Sequence, residues 1–168
     1  MKVAILGSGS WATALAKIIL NNVDEIIWYI RKQDTIDEFV ENRRNPNHLE
    51  WAYFDTSKIY FSTDINEVLD LSNTAVIAIP SPYIRQSLDA INIDISSKKI
   101  ISAVKGMIPD ENMLVTDYIH QHFNVPEENI GVIAGPCHAE EIALERLSYL
   151  TIGCTNIEQA RLWSELLT

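Results

Sequence analysis

The apolar residues of this chain fall into short unbroken runs set between segments of helical spacing. VAIL at 3–6, IIWYI at 26–30 and TAVIAI at 74–79 do not alternate with polar residues, so strands built from them should be buried on both faces. The pattern predicts strands over 2–6, 25–30, 58–62, 74–80, 99–105, 129–136 and 148–154. It predicts helices over 10–21, 34–42, 64–71, 82–91, 111–123 and 138–146, with a last one starting near Thr155. Leu15, Ile18 and Ile19 share a face of the first helix, and Ile36, Phe39 and Val40 are the apolar residues of the second. Val115, Tyr118, Ile119 and His122 recur at helical spacing in the fifth. Doubly buried strands separated by helices indicate an α/β fold around a mostly parallel sheet.

Punctuation supports these boundaries. NPNHLEWAYFD, 45–55, reads as a loop broken by Pro46, and Asp64 as a helix cap. Thr155-x-x-Glu158 has the form of a capping box for the last helix. Leu162, Trp163, Leu166 and Leu167 then make an apolar stripe just before the final residue, Thr168. Such a stripe fits either a terminal helix docked on the sheet or a chain continuing into further structure.

Composition narrows the class. With 168 residues, 47% of them hydrophobic, the chain fits one domain large enough to fold without disulfides. Its two cysteines, Cys137 and Cys154, read as free thiols rather than a secreted framework. MKVAILG is too short for a signal peptide, no apolar run reaches a membrane span, and a cytoplasmic protein is expected. The net charge of −10 argues against nucleic-acid binding, which needs a basic face, but leaves room for a small anionic ligand held by local charge and backbone N–H groups.

Candidate chemistry starts where the first strand meets the first helix. ILGSGSWATALA at 5–16 carries Gly7-x-Gly9-x-x-Ala12. In a dinucleotide fingerprint the first glycine makes the tight turn and the second admits the pyrophosphate. The third keeps helix and strand close, and alanine is accepted there. Following a buried strand and opening a helix, the motif predicts a Rossmann-like doubly wound sheet with a dinucleotide at the helix N-terminus, and Ser10 as the helix cap. The second strand ends Tyr29-Ile30-Arg31-Lys32, while Asp24 and Glu25 lie at its far end. Arg31 therefore suits a ribose 2′-phosphate, by pairing and stacking; Lys32 reads equally as a solvated turn residue. The implied cofactor is NADP or NAD.

Other strand ends should line the same crevice. Ile79-Pro80-Ser81-Pro82 is a stiff turn, Val104-Lys105-Gly106 brings a cation, and Gly135-Pro136 turns the chain toward another helix N-terminus. Cys137 beside His138 offers a nucleophile and a base, but sequence neighbours rarely face each other and no third group is evident. The histidines and cysteines show no metal-ligand spacing, and no metal is expected.

GSGSWATALA, NPNHL, AIPS, SAVKG and AGPCHAEEIA, in this order along the chain, resemble the bacterial NAD(P)-dependent glycerol-3-phosphate dehydrogenases. The resemblance implies reduction of dihydroxyacetone phosphate to sn-glycerol 3-phosphate for glycerophospholipid synthesis. By position it implies cofactor contacts at Gly7, Gly9, Ser10, Trp11, Arg31, Lys32, Lys105 and Ala139. It implies substrate contacts at Lys105, Gly135 and Cys137, the last standing where many relatives carry serine. Members of that family run to about two domains, and a helical second domain supplies the catalytic lysine, so no catalytic residue is expected within 1–168. The resemblance shifts the reading of the terminal stripe toward a fragment whose last helix meets further chain. It also implies a homodimer for the full-length protein. A non-catalytic dinucleotide sensor and a two-domain hydroxy-acid dehydrogenase remain as alternatives.

Overall fold

The computed structural model describes residues 1–109 and 111–168. In chain order the larger elements are β1 (Val3–Leu6), α1 (Ser10–Asn22), β2 (Ile26–Tyr29), α2 (Gln33–Asn42), β3 (Ile59–Ser62), α3 (Ile65–Asp70), β4 (Thr74–Ile77) and α4 (Ser81–Asp89). They continue with β5 (Lys99–Ser102), the short strands β6 (Met107–Ile108) and β7 (Met113–Leu114), α5 (Val115–Phe123), β8 (Ile130–Ala134), α6 (Ala139–Ala143), β9 (Thr151–Cys154) and α7 (Ile157–Leu166).

Seven strands form one sheet in the order β3-β2-β1-β4-β5-β8-β9. All neighbours are parallel except β9, which runs antiparallel to β8. Val3 pairs with Ile26 on one side and Thr74 on the other. The strand order therefore reverses between β1 and β4, and the crevice beyond their carboxyl ends is where an open α/β sheet holds a ligand.

The unbroken apolar runs follow from having core on both faces. Val3 and Ile5 of β1 join one core with α1, α2, α6 and α7, while Ala4 and Leu6 join a second core with α3, α4 and α5. Trp28 anchors the first core, in edge contact with Phe39 (5.3 Å between centroids) and Phe54 (5.6 Å). That aromatic cluster ties β2, α2 and the 43–54 loop into one unit beside the end of β1.

Several boundaries differ from the sequence expectation. The strand predicted over 99–105 ends at Ser102, so Lys105 lies in the following loop. The helix predicted from 111 begins at Val115, because Met107–Ile108 and Met113–Leu114 first pair as a two-stranded hairpin. Val40 is exposed, whereas Ile36 and Phe39 of the same helix are buried. The last helix is capped by Asn156, whose side chain accepts from the N–H groups of Glu158 and Gln159, rather than by Thr155. Its stripe is largely covered within the chain: Trp163 and Leu166 are buried against the first core and only Leu162 is half exposed. Neither cysteine is paired, and Cys137 is buried. Among the described residues no helix is long and apolar enough to cross a membrane.

Candidate active site

Loops after β1, β4, β5 and β8 converge on a cleft of about 400 Å³ at the carboxyl edge of the sheet. Its walls include Gly9, Ser10 and Trp11 from the first loop, Ala78–Pro82 from the second, Ala103–Lys105 from the third and Cys137–Ala139 from the fourth. Six of the sequence-predicted contacts therefore share one cleft: Gly9, Ser10, Trp11, Lys105, Cys137 and Ala139.

The two glycines of the first loop have separate tasks. Gly7 sits at φ +118°, and a Cβ there would stand 2.6 Å from the carbonyl oxygen of Ala78. The turn out of β1 passes against the β4 backbone, a path open only to glycine. At Gly9 a Cβ would meet nothing within 4 Å, so its face opens onto the cleft. Gly9 is also the N-cap of α1, and no side chain caps that end. Ser10, expected to be the cap, is instead the first residue of the helix; its hydroxyl pairs with His48 Nδ1 at 3.2 Å. The free N–H groups and positive dipole end of a 13-residue helix thus face the cleft, an arrangement suited to a phosphate. The α4 N-terminus, with Pro80 as its N-cap, is likewise free of a side-chain cap. These features fit the pyrophosphate of a dinucleotide.

Lys105 is exposed on the cleft wall, and Gly106 after it takes φ +91°. Cys137 borders the cleft, but its thiol donates to Tyr149 O at 2.8 Å, and His138 is exposed as the N-cap of α6. Gly135 lies at the turn out of β8 rather than in the cleft wall. Its φ is +152°, and a Cβ there would be 2.5 Å from Tyr149 O. Arg31 and Lys32 stand apart from the cleft, exposed at the end of β2. Arg31 also acts on Tyr29: burial raises the phenol pKa above its usual value, and the guanidinium opposes that rise. Asp64, whose negative charge adds to the rise, caps α3 by accepting from Asn66 N–H.

Two residues without an assigned role complete the loop's support. Trp28 Nε1 donates to Gly7 O at 2.7 Å. Asn45 is fully buried and reaches back to the glycine loop. The turn that Asn-Pro signals is present, with Asn45 Oδ1 accepting from Asn47 N–H, but a turn signal says nothing of the second partner; the signal available in the sequence was the place of NPNHL among the stretches that carry the resemblance. Among the described residues no group of three or more His, Cys, Asp or Glu is placed to hold a metal.

Known proteins give this geometry a lineage. The family described as NAD-dependent glycerol-3-phosphate dehydrogenase N-terminus matches residues 2–160. A glycerol-3-phosphate dehydrogenase [NAD(P)+] of Bacillus pumilus is 32% identical over 169 residues, covering 98% of this chain and 48% of the relative. One from Staphylococcus carnosus is 34% identical over 148 residues, covering 86% and 44%. The solved glycerol-3-phosphate dehydrogenase of Plasmodium falciparum superposes with a TM-score of 0.87 at 26% identity, over 100% of this chain and 50% of that one. The chain thus spans about half the length of the curated relatives it matches. On sequence and on fold, this chain belongs to the NAD-dependent glycerol-3-phosphate dehydrogenase N-terminal domain family.

Proposed function

We propose that this chain is the cofactor-binding half of an NAD(P)-dependent sn-glycerol-3-phosphate dehydrogenase, reducing dihydroxyacetone phosphate to sn-glycerol 3-phosphate. The observation that carries the reading is one cleft holding an uncapped α1 N-terminus, the open face of Gly9 and the ammonium of Lys105. The cofactor is NAD or NADP, as the relatives' names and the family description support.

When bound, the nicotinamide supplies the hydride that goes to the ketone carbon. The chain's own residues bind and orient. The first turn of α1, with Gly9, Ser10 and Trp11, receives the pyrophosphate, and Gly7 makes the turn that brings it there. Arg31, with Lys32 beside it, takes the adenosine side and gives a 2′-phosphate a bidentate partner. Ala139 lies on the cofactor side of the cleft. Lys105 holds the substrate by charge and stabilises negative charge growing on the carbonyl oxygen. Gly135 and Cys137 shape the substrate end of the cleft.

Residues 1–168 act as one dinucleotide-binding domain in this proposal. The proton donor belongs to a helical second domain of the kind the resemblance implies. The complete enzyme would work in the cytoplasm, as a homodimer, in glycerophospholipid synthesis; the net charge of −10 supports the absence of nucleic acid among its partners.

Titration of the purified 168-residue chain with NADH and NADPH, followed by nicotinamide fluorescence, tests the reading. Saturable binding is expected, with negligible oxidation of either on adding dihydroxyacetone phosphate. Absence of binding overturns the cofactor assignment, and robust turnover overturns the half-enzyme assignment.

A further inference from the structure

The glycine turn is held from behind by a residue that does not line the cleft. Asn45 is 0% exposed, which is costly for a primary amide unless its bonds are made. They are made. Its Nδ2 donates to Ser8 O at 2.9 Å and to Thr13 Oγ1 at 2.8 Å, and its Oδ1 accepts from Asn47 N–H at 3.0 Å. Thr13 Oγ1 in turn donates to Gly9 O at 3.0 Å. One amide thereby joins the residue between the two glycines to the first turn of α1. Asparagine is the small side chain able to do this, with two donors and an acceptor on one planar group.

The Ser8 carbonyl is the informative partner. It belongs to the same peptide plane as the Gly9 N–H, and no peptide in the described chain is cis. In a trans peptide the C=O and N–H point in opposite directions. Fixing Ser8 O toward the buried Asn45 therefore turns Gly9 N–H away from the core. Among the described residues that N–H has no acceptor. The loop bearing Asn45 is itself anchored: Leu49, Ala52 and Phe54 are buried, and Phe54 N–H donates to Arg43 O at 2.8 Å.

We propose that Asn45 is the positioning residue of the dinucleotide cradle, aiming Gly9 N–H at the pyrophosphate site before the cofactor arrives. This rests on the dinucleotide reading above. Preorganisation of this kind sets affinity by removing the cost of ordering the loop on binding.

The test compares Asn45→Ala with Thr13→Val, which keeps Asn45's bond to Ser8 O, and with Val68→Ala, a core truncation on the other side of the sheet. Dissociation constants for NADH and NADPH are measured by fluorescence well below each variant's unfolding midpoint. Hydrogen exchange of the 8–13 amides is followed without cofactor. Asn45→Ala should weaken both cofactors about tenfold or more and speed exchange in the loop, with Thr13→Val intermediate. Val68→Ala should lower the midpoint and leave both dissociation constants within twofold. Unchanged binding in Asn45→Ala, or equal weakening in Val68→Ala, overturns the proposal while leaving the dinucleotide reading intact. Failure of the parent chain to bind either cofactor overturns that reading and this proposal with it.

Discussion

A methyl group added at Gly7 would meet the Ala78 carbonyl on a backbone already at φ +118°. Gly7→Ala should therefore cost about 3 kcal/mol, from strain and a displaced strand together, read as a lowered urea midpoint. Gly9, at φ −73° and ψ 176°, takes a conformation open to any residue. Gly9→Ala should leave stability within about 1 kcal/mol, the weaker N-cap offsetting the lost chain freedom. Its new methyl instead fills the open face, so NADH and NADPH should bind at least tenfold more weakly in the same fluorescence titration. Arg31→Ala should weaken NADPH about tenfold, the worth of a charged hydrogen bond of roughly 1.5 kcal/mol, and move NADH less. Equal shifts for the two cofactors would remove Arg31 from the 2′-phosphate site. The glycine pattern was legible in the sequence because backbone sterics restrict the residue type. Asn45 was not, because its role depends on meeting Ser8 and Thr13, more than thirty positions earlier.

Among elements, α7 shows what periodicity can and cannot supply. The spacing of Leu162, Trp163 and Leu166 marks a helix, but only the fold tells which face is covered. Trp163 is fully buried, and a Cβ at Gly131 of β8 would collide with its ring. The strand glycine thus makes room for the indole of a helix thirty residues on. Trp163→Ala should destabilise the domain by about 3–5 kcal/mol, measured by chemical denaturation, and detach α7 from β8 and β9. The buried parallel strands were legible, since runs such as VAIL suit no half-exposed setting. The antiparallel sense of β9 was not, because TIGC between two loops carries no direction. The 107–114 hairpin was also missed: two-residue strands are too short to leave a period.

For the whole molecule, titration brackets the stable range. Hydrogen bonds from Ser62 and Tyr60 hold the Glu67 carboxyl below its usual value, and bonds from Ser57 and Ser96 do the same for Asp55 and Asp94. Groups depressed in the folded state stabilise it above their unfolded pKa, and that contribution is lost as pH falls through the folded value. Tyr29 and Tyr118 are raised, chiefly by burial. Their contribution is present below the ordinary phenol value and lost as pH rises through the folded one. The thermal midpoint should therefore be flat from about pH 5 to 9, decline gently in acid because the three carboxylates are exposed, and fall again above pH 10. A midpoint that rises on acidification below pH 4 would contradict this.

The central place of β1 also has a price during synthesis. The first strand made is doubly buried in the finished sheet, yet its partner β4 starts at Thr74, about 45 residues after β2 ends at Tyr29. At ribosomal rates of about 5–20 residues per second, VAIL waits roughly 2–9 s with one edge unpaired. The tight turn at Gly7 therefore lacks its seat until the Ala78 carbonyl emerges, and a nascent chain halted before that point presents an apolar strand with one edge open.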